Sequence, residues 1–499
     1  MGASTFFPRV AWRCHDDTKA LKPHAMVIWT DGGYHPDLPG DFINHTWPEG
    51  QELPDKPVIE HEFRWWSSFP DVRISDQYSG AIRHYAADIA RAAARAHGQE
   101  HLLEAYAQTS QRLQFLEAKT KMEQLRRDRP FLAGVSHFNA MDANPSPQGI
   151  ITEFYERKLI DAATWQQTMG DTVVLSGLGF DNRALPSGEE FRCQLSISDF
   201  SHPPFAAPVL TWTLRSADSE VASGELRWPH EPFTTCPVGE AVATLPAVEQ
   251  PCRLELSASM TDGARTVTNA WPLWVFPHVE SLPGIVRYLG SRAVGAPASS
   301  WHAWLKQWEE LPSVTAEDLP QDVLVLTEVL DEALLAFMEH GGRVLLAATE
   351  GLVRPHRPLF GYVRHYLTPP ANYGPYEDGQ NGTIICDHPL LGDFPHEGWA
   401  DLPFFRLIDG APPLMLEPFG LTDEDPIVRS IHRYPVLHPL GYLVQRAHGA
   451  GRLIISAFDL QPSWPEARYL LRCFSQPTTV PARQLTPENI ERLAAATEL

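Results

Sequence analysis

The chain has 499 residues, and its 62 acidic side chains outnumber its 40 basic ones, which gives a formal net charge of −22. A chain this acidic repels phosphate backbones and anionic lipid surfaces, which argues against nucleic acid and membranes as partners. Apolar residues make up 43% of the sequence, as in globular proteins, and no run approaches the roughly 18 apolar residues of a membrane helix. At about 150 residues per domain, the length predicts roughly three domains.

Residues 1–165 alternate apolar runs with long polar helical patterns. The predicted strands are 24–29, 56–63 and 131–139, and the predicted helices are 82–96 and 101–127. Strands that alternate with helices at this spacing are typical of a parallel α/β sheet.

Residues 168–277 have a different pattern, with short alternating runs separated by Gly, Pro, Asp and Ser. The runs are 172–175, 191–197, 209–214, 224–228, 253–260 and 270–276. Both this pattern and the length of the segment predict an immunoglobulin-like β-sandwich.

Residues 278–478 return to an α/β pattern. A strand over 322–327, a helix over 331–340 and a strand over 342–347 form one βαβ unit, and 452–456 is a further predicted strand. The pair Gly341-Gly342 lies where a helix C-cap is expected. Residues 479–499 are predicted to form a C-terminal tail with a short helix over 486–499.

No cofactor and no metal site is predicted from the local motifs. The six cysteines contain no CxxC pair, and the 21 histidines show no HExxH spacing. Gly177-Leu-Gly179 lacks both the third glycine and the following helix of a dinucleotide-binding loop.

Glu62 is the candidate catalytic residue, because it ends an apolar strand and aromatic residues follow it. In α/β barrels the loops at the carboxyl ends of the strands build the active site. His45 and Trp47 precede this strand, Trp65 and Trp66 follow it, and His137 and Asp142 lie at and after the end of the next strand. Taken singly, either histidine is more often a hydrogen-bonded structural residue than a catalyst.

Blocks of residues in a fixed order along the chain carry a family resemblance. They are the strand 56–63, Phe69-Pro-Asp71, Gln77-Tyr78-Ser79-Gly80, the spacing Lys119-x-x-x-Glu123-x-x-Arg126, 131–134 with Asp142, Gln148 and Gly149, 269–277, and 388–395. Together they resemble the β-galactosidase/β-glucuronidase-like glycoside hydrolases (glycoside hydrolase family 2 and relatives).

The resemblance implies a multidomain α/β and β fold. Residues 1–165 would be the C-terminal part of a (β/α)8 TIM barrel, with the last three of its strands, and 168–277 would be the sandwich. Residues 278–478 would form a flavodoxin- or glutamine-amidotransferase-like α/β domain with a scaffolding role.

The resemblance also implies an exo-acting, retaining β-glycosidase such as a β-galactosidase or β-glucuronidase. Glu62 would be the nucleophile, and a carbohydrate would be the substrate. His45, His137 and Asp142 would contact the sugar, and Trp47, Trp65 or Trp66 would stack on its ring.

The chain departs from this family in two respects. A complete barrel needs about 250 residues, and only about 165 precede the predicted sandwich. The family's acid/base glutamate lies in an Asn-Glu pair, and none occurs before the sandwich. We therefore expect the activity to need an upstream catalytic half or a second copy of the chain.

The alternative is a non-catalytic carbohydrate-binding or assembly protein. Localisation stays open, and a periplasmic or extracellular location is compatible with the sequence if Met1 is not the native start.

Overall fold

The structure of the protein is a computed structural model that describes residues 8–28, 39–44, 46–47, 50–63, 67–137, 139–143, 147–159, 161–290, 304–354, 382–422, 424–478 and 480–497. These residues form a mixed α/β protein with four sheets, and within them the strands close no barrel. No helix in the described part is long and apolar enough to cross a membrane.

The first part of the chain builds a small parallel sheet, here called the N-terminal sheet. Its elements are α1 (Pro8–Leu21), β1 (Ile43–Asn44), β2 (Val58–Phe63), α2 (Tyr85–Ala96), α3 (Leu103–Asp128), β3 (Leu132–His137) and α4 (Ala162–Met169). The strands lie in the order β1, β2, β3, and both pairs are parallel. Since α2 and α3 connect β2 to β3, this part has the βαβ connection that parallel strands require.

The prediction of a strand over 24–29 is wrong for its described residues, 24–28, which form no strand. The backbone of Val27 bonds to Asp41 instead of to a neighbouring strand: its N–H donates to the carboxylate at 2.6 Å, and its carbonyl accepts from the Asp41 N–H at 2.9 Å. The Lys19 ammonium donates to the same carboxylate and to the Ala25 carbonyl. The apolar run 24–28 therefore forms no strand, because its backbone bonds to Asp41 and Lys19 instead of to a neighbouring strand.

The middle of the chain forms two facing sheets, here called the sandwich. Its strands are β4 (Thr172–Ser176), β5 (Ala184–Pro186), β6 (Glu190–Asp199), β7 (Val209–Arg215), β8 (Glu220–Leu226), β9 (Thr234–Thr244), β10 (Cys252–Thr261) and β11 (Thr266–Phe276). One sheet has the order β5-β11-β10-β7-β8 and the other β4-β6-β9. Buried side chains from both sheets, among them Leu195, Leu256 and Trp271, share one core.

The last part of the chain forms a nine-stranded sheet, here called the C-terminal sheet. Its elements are β12 (Ile285–Tyr288), α5 (Trp304–Gln307), β13 (Ser313–Val314), β14 (Leu324–Thr327), α6 (Glu332–Glu339), β15 (Arg343–Ala347), β16 (Ile384–Ile385), α7 (Phe405–Ile408), β17 (Leu414–Met415), β18 (Pro426–Ser430), β19 (Leu440–His448), β20 (Gly451–Ser456), α8 (Pro465–Phe474) and α9 (Pro487–Thr497). The strands β13-β12-β14-β15-β20 run parallel, and β19, β18 and β16 continue the sheet antiparallel.

Local sequence explains both ends of α6. The Asp331 side chain accepts a hydrogen bond from the Leu334 N–H at 3.0 Å, which caps the amino terminus. After the helix, Gly341 takes a φ of +99°. The following residue, Gly342, packs so closely on Phe337 that a Cβ at this position would lie 2.2 Å from the ring. Both glycines are therefore needed, one for its backbone conformation and the other for space.

The helix α9 packs against the C-terminal sheet. Leu493 and Ala496 belong to the core of that sheet, and the Thr497 hydroxyl accepts a hydrogen bond from the Leu330 N–H at 3.1 Å. The segment that the sequence marks as a tail thus shares a core with the residues before it.

The long helix α3 contacts all three parts. Met122 and Leu125 pack against the N-terminal sheet, and Leu113 belongs to the core of the C-terminal sheet. Polar side chains near its middle bond to the sandwich. This helix therefore fixes the N-terminal sheet relative to the rest of the molecule.

Candidate active site at the carboxyl end of the N-terminal sheet

Glu62 lies in a β-bulge at the carboxyl end of the central strand β2. In the pairing with β3, Glu60 faces Val135 and Phe63 faces His137, so two residues on β2 stand opposite one on β3. Glu62 takes a φ of +43°, a conformation that a non-glycine residue rarely adopts. Bulges and left-handed residues are found preferentially next to functional sites, where they aim a side chain.

The Glu62 carboxylate is partly exposed and is approached by the preceding histidine. Its side chain is 29% exposed, and Nε2 of His61 lies 3.5 Å from Oε1. On the other side of the ring, the amide nitrogen of Asn44 lies 2.7 Å from Nδ1 of His61. An amide nitrogen only donates, so Nδ1 is the acceptor and the neutral ring carries its proton on Nε2, towards Glu62.

Asn44 and His61 are two residues near this carboxylate that were not predicted as site residues. Asn44 ends β1 and pairs in register with Ile59 of β2, which brings the ends of the two strands together. The signal that could have found them is the parallel pairing itself, because the carboxyl ends of parallel strands meet at one edge of a sheet.

Trp47 lies inside the protein, at 2% exposure. The Arg129 guanidinium donates to its backbone carbonyl at 2.7 Å and lies 3.7 Å from the buried Glu60 carboxylate. Neither face of a buried indole is open to a sugar ring. The stacking of Trp47 on a sugar ring stays a prediction, which the burial of this side chain does not favour.

His137, at the end of β3, faces Phe63 in the strand register and contacts Trp165 with ring centroids 5.5 Å apart. Burial lowers the pKa of this imidazole to about 4. The ring is therefore neutral at physiological pH. His137 lies beside the end of β2, and its predicted contact with a sugar stays a prediction.

Asp142 forms a buried ion pair. Its Oδ1 accepts from Nζ of Lys158 at 2.8 Å and from the Gly149 N–H at 2.7 Å. The ammonium also reaches Ser68, Gln114 and the Pro147 carbonyl. Burial raises the pKa of Asp142 to about 6, although Lys158 acts in the opposite direction.

The Asp142 pair closes the loop that follows β3. A Cβ on Gly149 would lie 2.1 Å from the backbone nitrogen of Asp142, so only glycine fits there. The carboxylate thus has a structural role in the loop, and its predicted contact with a sugar stays a prediction.

A second polar group near this loop includes the block Gln77-Tyr78-Ser79-Gly80. The Tyr78 hydroxyl donates to the Glu153 carboxylate, and its ring stacks on His84 at 4.8 Å. Burial and the hydrogen bond to Glu153 raise the pKa of Tyr78. The sequence marked Tyr78 only as part of a motif and gave no role to Glu153 or His84.

The remaining predicted site residues, His45, Trp65 and Trp66, lie outside the described residues. The cavity of about 300 Å³ between β3 and the sandwich contains none of the predicted site residues. Its lining includes Arg126, Arg129, Gly134, Met169 and Phe200.

The sequence match to known families covers two stretches, and both families are domains of unknown function. The family DUF8487 matches residues 325–495, and DUF8488 matches residues 189–277. No curated protein matches the chain.

Three solved structures illustrate the structural comparisons. The sporulation control protein Spo0M of Bacillus subtilis is 14% identical with a TM-score of 0.17, and the match covers 22% of this chain and 51% of that one. A β-glucuronidase of Parabacteroides merdae is 13% identical with a TM-score of 0.17, covering 39% of this chain and 24% of that one. A family 123 glycoside hydrolase of Clostridium perfringens is 10% identical with a TM-score of 0.14, covering 35% of this chain and 37% of that one.

The matched part thus spans about half of Spo0M and less than two fifths of each glycosidase. TM-scores this low carry no argument about the activity of this chain. The chain is weakly and partially similar to glycoside hydrolases, and the case for a function rests on its own residues.

Proposed function

We propose that this chain carries the nucleophile side of a retaining, exo-acting β-glycosidase site, with a β-galactoside or β-glucuronide as substrate. In this proposal the N-terminal sheet corresponds to the last strands of a (β/α)8 barrel. The sandwich is of the immunoglobulin type, and the C-terminal sheet is a flavodoxin-like scaffold.

The observation that carries the proposal is the position of Glu62. A partly exposed carboxylate ends the central strand of a parallel sheet, in a bulge with a φ of +43°. Catalytic carboxylates of α/β barrels lie at this end of their strands. Residues with strained backbone conformations cluster at active sites, where the strain can be part of the mechanism.

The chemistry assigned to Glu62 is attack on the anomeric carbon. Its carboxylate oxygen forms an ester bond to that carbon while the bond to the leaving oxygen breaks, and water later hydrolyses the ester. His61, with its Nε2 proton towards the carboxylate, would orient Glu62 for the attack. Asn44 would hold the ring in that tautomer.

The acid that protonates the leaving oxygen would come from a carboxylate about 5 Å from Glu62. We propose that a partner supplies it, either an upstream catalytic half or a second copy of this chain. Within the described residues, β1 and β3 are the edges of the N-terminal sheet, and sheet edges offer unpaired backbone groups to another strand.

A trapping experiment tests the nucleophile without the acid. Aryl 2-deoxy-2-fluoro-β-glycosides with a dinitrophenolate leaving group need no proton on the departing oxygen, and the fluorine slows hydrolysis of the ester. The chain is incubated separately with the galactoside probe and with the glucuronide probe, and one of the two should add a single sugar to the intact chain. Peptide mapping should place it on Glu62.

Glu62→Gln should abolish the labelling, whereas Glu52→Gln, which changes an exposed carboxylate of the same segment, should not. Labelling at another carboxylate would overturn the assignment of Glu62. Absence of labelling with both probes, together with retained binding of the free sugars, would favour the alternative of a non-catalytic carbohydrate-binding protein.

A further inference from the structure

Three side chains from distant segments meet between the end of α2 and the C-terminal sheet. His97 follows the last residue of α2, Glu417 begins a short 3₁₀ turn (Glu417–Phe419), and His438 precedes β19. One ligand atom from each lies within 4.8 Å of the others. Within the described residues, these three side chains form a cluster that could hold a metal ion.

The carboxylate of Glu417 bridges the two imidazoles. Oε1 lies 2.6 Å from Nδ1 of His97, and Oε2 lies 3.0 Å from Nδ1 of His438. The two rings meet edge to face with centroids 4.7 Å apart. Both Nδ1 atoms therefore point at one carboxylate.

The backbone that carries the two histidines is fixed by buried contacts. Gln99 is buried, donates to the Leu437 carbonyl at 3.1 Å and accepts from the Tyr106 hydroxyl at 2.6 Å. Leu437, the residue before His438, is fully buried and takes a φ of +48°. The N–H of His438 also donates to Nδ1 of His432 at 3.0 Å. Contacts within the protein thus fix the backbone near both histidines.

The turn that carries Glu417 is held by α9. Asn489 donates to the Phe419 carbonyl at 2.8 Å, and Arg492 donates to the Pro418 carbonyl at 3.1 Å. The side chain of Glu417 is 44% exposed and that of His438 is 51% exposed, so water reaches the group from one side. An ion placed among the three ligand atoms would keep a position open to solvent.

From this geometry we propose a divalent transition-metal site, with Zn²⁺ as the preferred ion, formed by His97, Glu417 and His438. Two imidazoles and one carboxylate are a common zinc donor set, and water completes the tetrahedron. Imidazole ligands favour zinc over calcium or magnesium, which prefer oxygen. For Nδ1 of each ring to bind the ion, the ring proton that now faces Glu417 moves to Nε2, so three bonds to the metal replace two hydrogen bonds.

The site links two parts of the protein that pack through an apolar core. Ala90, Ala94 and Tyr106 of α2 and α3 belong to one buried cluster with Ile431 and Leu437. An ion bound only by the folded protein stabilises it in proportion to its occupancy. Zinc should therefore tie α2 to the C-terminal sheet and raise the unfolding temperature of the whole chain.

The test uses the full chain without a histidine tag, stripped of metal with a chelator, and ZnCl₂ as the sole ligand. Calorimetric titration should show one tight equivalent. His97→Ala, His438→Ala and Glu417→Gln should each weaken it by more than about 100-fold, because even residues that only orient a metal ligand contribute about 10–100-fold. His278→Ala, which removes an exposed histidine outside the group, should leave the affinity unchanged.

Thermal unfolding with and without zinc provides a second readout. Zinc should raise the unfolding temperature of the wild type and of His278→Ala, and it should leave Glu417→Gln unchanged. Unchanged unfolding temperatures of the metal-free variants would show that they are folded. The proposal is overturned if the wild type binds no zinc, or if the three substitutions leave the tight equivalent in place.

Discussion

The indole nitrogen of Trp271 donates a 2.7 Å hydrogen bond to Oε2 of Glu123, and both side chains are buried. Oε1 of the same carboxylate accepts from Lys119 and from the Asn269 amide. Asn269 in turn accepts from Lys119 at 2.6 Å and donates to the Val174 carbonyl. This network joins α3 to β11, so the support of the N-terminal sheet depends on polar contacts inside the protein.

Removal of the Glu123 charge should be among the most destabilising substitutions in this region. Glu123→Gln leaves the Lys119 ammonium buried without its counter-charge, which costs about 3–5 kcal/mol of unfolding free energy. Trp271→Phe removes one hydrogen bond to a charged group and should cost less, about 1.5–3 kcal/mol before any loss of packing.

Urea unfolding followed by tryptophan fluorescence would measure both effects. Arg112→Gln on the exposed face of α3 is the control, because a surface ion pair contributes at most about 1 kcal/mol. A Glu123→Gln protein as stable as this control would show that the network does not hold the two parts together.

The pH dependence of stability should reveal the buried pair of Asp142 and Lys158. Burial raises the pKa of Asp142 to about 6 from an ordinary 3.8. Between these values the folded protein keeps a proton that the unfolded chain has released, so this group's contribution to stability falls as pH rises. The unfolding free energy of the wild type minus that of Asp142→Asn should drop by about 2.4 kcal/mol between pH 4 and pH 7.

Denaturant titrations at several pH values check this. The matched control is Asp76→Asn, which changes an exposed carboxylate, and its difference from wild type should stay nearly flat over the same range. A wild type minus Asp142→Asn difference that grows as pH rises would mean that the ion pair with Lys158 outweighs burial.

The contribution of His137 to the unfolding free energy should change with pH in the opposite direction. Its pKa is lowered by burial to about 4 from an ordinary 6.5, so the unfolded chain binds a proton that the folded protein does not. Stability from this group is present above about pH 6.5 and is lost as pH falls towards 4. The wild type minus His137→Gln difference should therefore increase with pH, by up to about 3 kcal/mol.

The same series of denaturant titrations serves for His137, with His24→Gln as the exposed control. A flat difference for His137→Gln would show that water reaches the ring at the end of β3. The imidazole of His137 would then take up a proton in the folded protein as it does in the unfolded chain.

Sequence patterns located β2, β3, α2 and α3 and most strands of the sandwich, but not the contacts between these elements. The blocks around Glu123 and Trp271 were both recognisable, yet no local pattern shows that residues 148 positions apart share a hydrogen bond. For the same reason, separate histidines at 97 and 438 give no local spacing that could be read as a metal site. Long-range contacts depend on the packing of whole elements.

Errors in the secondary structure have local causes. The strand β9 was missed because Pro237 and Gly239 interrupt its apolar alternation, and its register with β6 shifts at Leu195/Ser196. The position of Glu62 near the carboxyl end of β2 could be predicted because the end of an apolar strand is recognisable in the sequence, and its catalytic role stays a prediction. Asp142 was expected at a sugar, and it lies in an ion pair with Lys158, a residue that the sequence did not mark.

The bulge at Glu62 predicts an unusual order of stability among small substitutions. In an ordinary strand glycine is less stable than alanine by about 0.5–1 kcal/mol. At a φ of +43° the Cβ of alanine is strained and glycine is not, so Glu62→Gly should be more stable than Glu62→Ala by about 1 kcal/mol. At the exposed Glu255 of β10, alanine should be more stable than glycine. Thermal unfolding of the four variants measures both differences. If alanine were the more stable residue at position 62 as well, Glu62 would not be held in the left-handed conformation, and the argument that its backbone aims the carboxylate would fail.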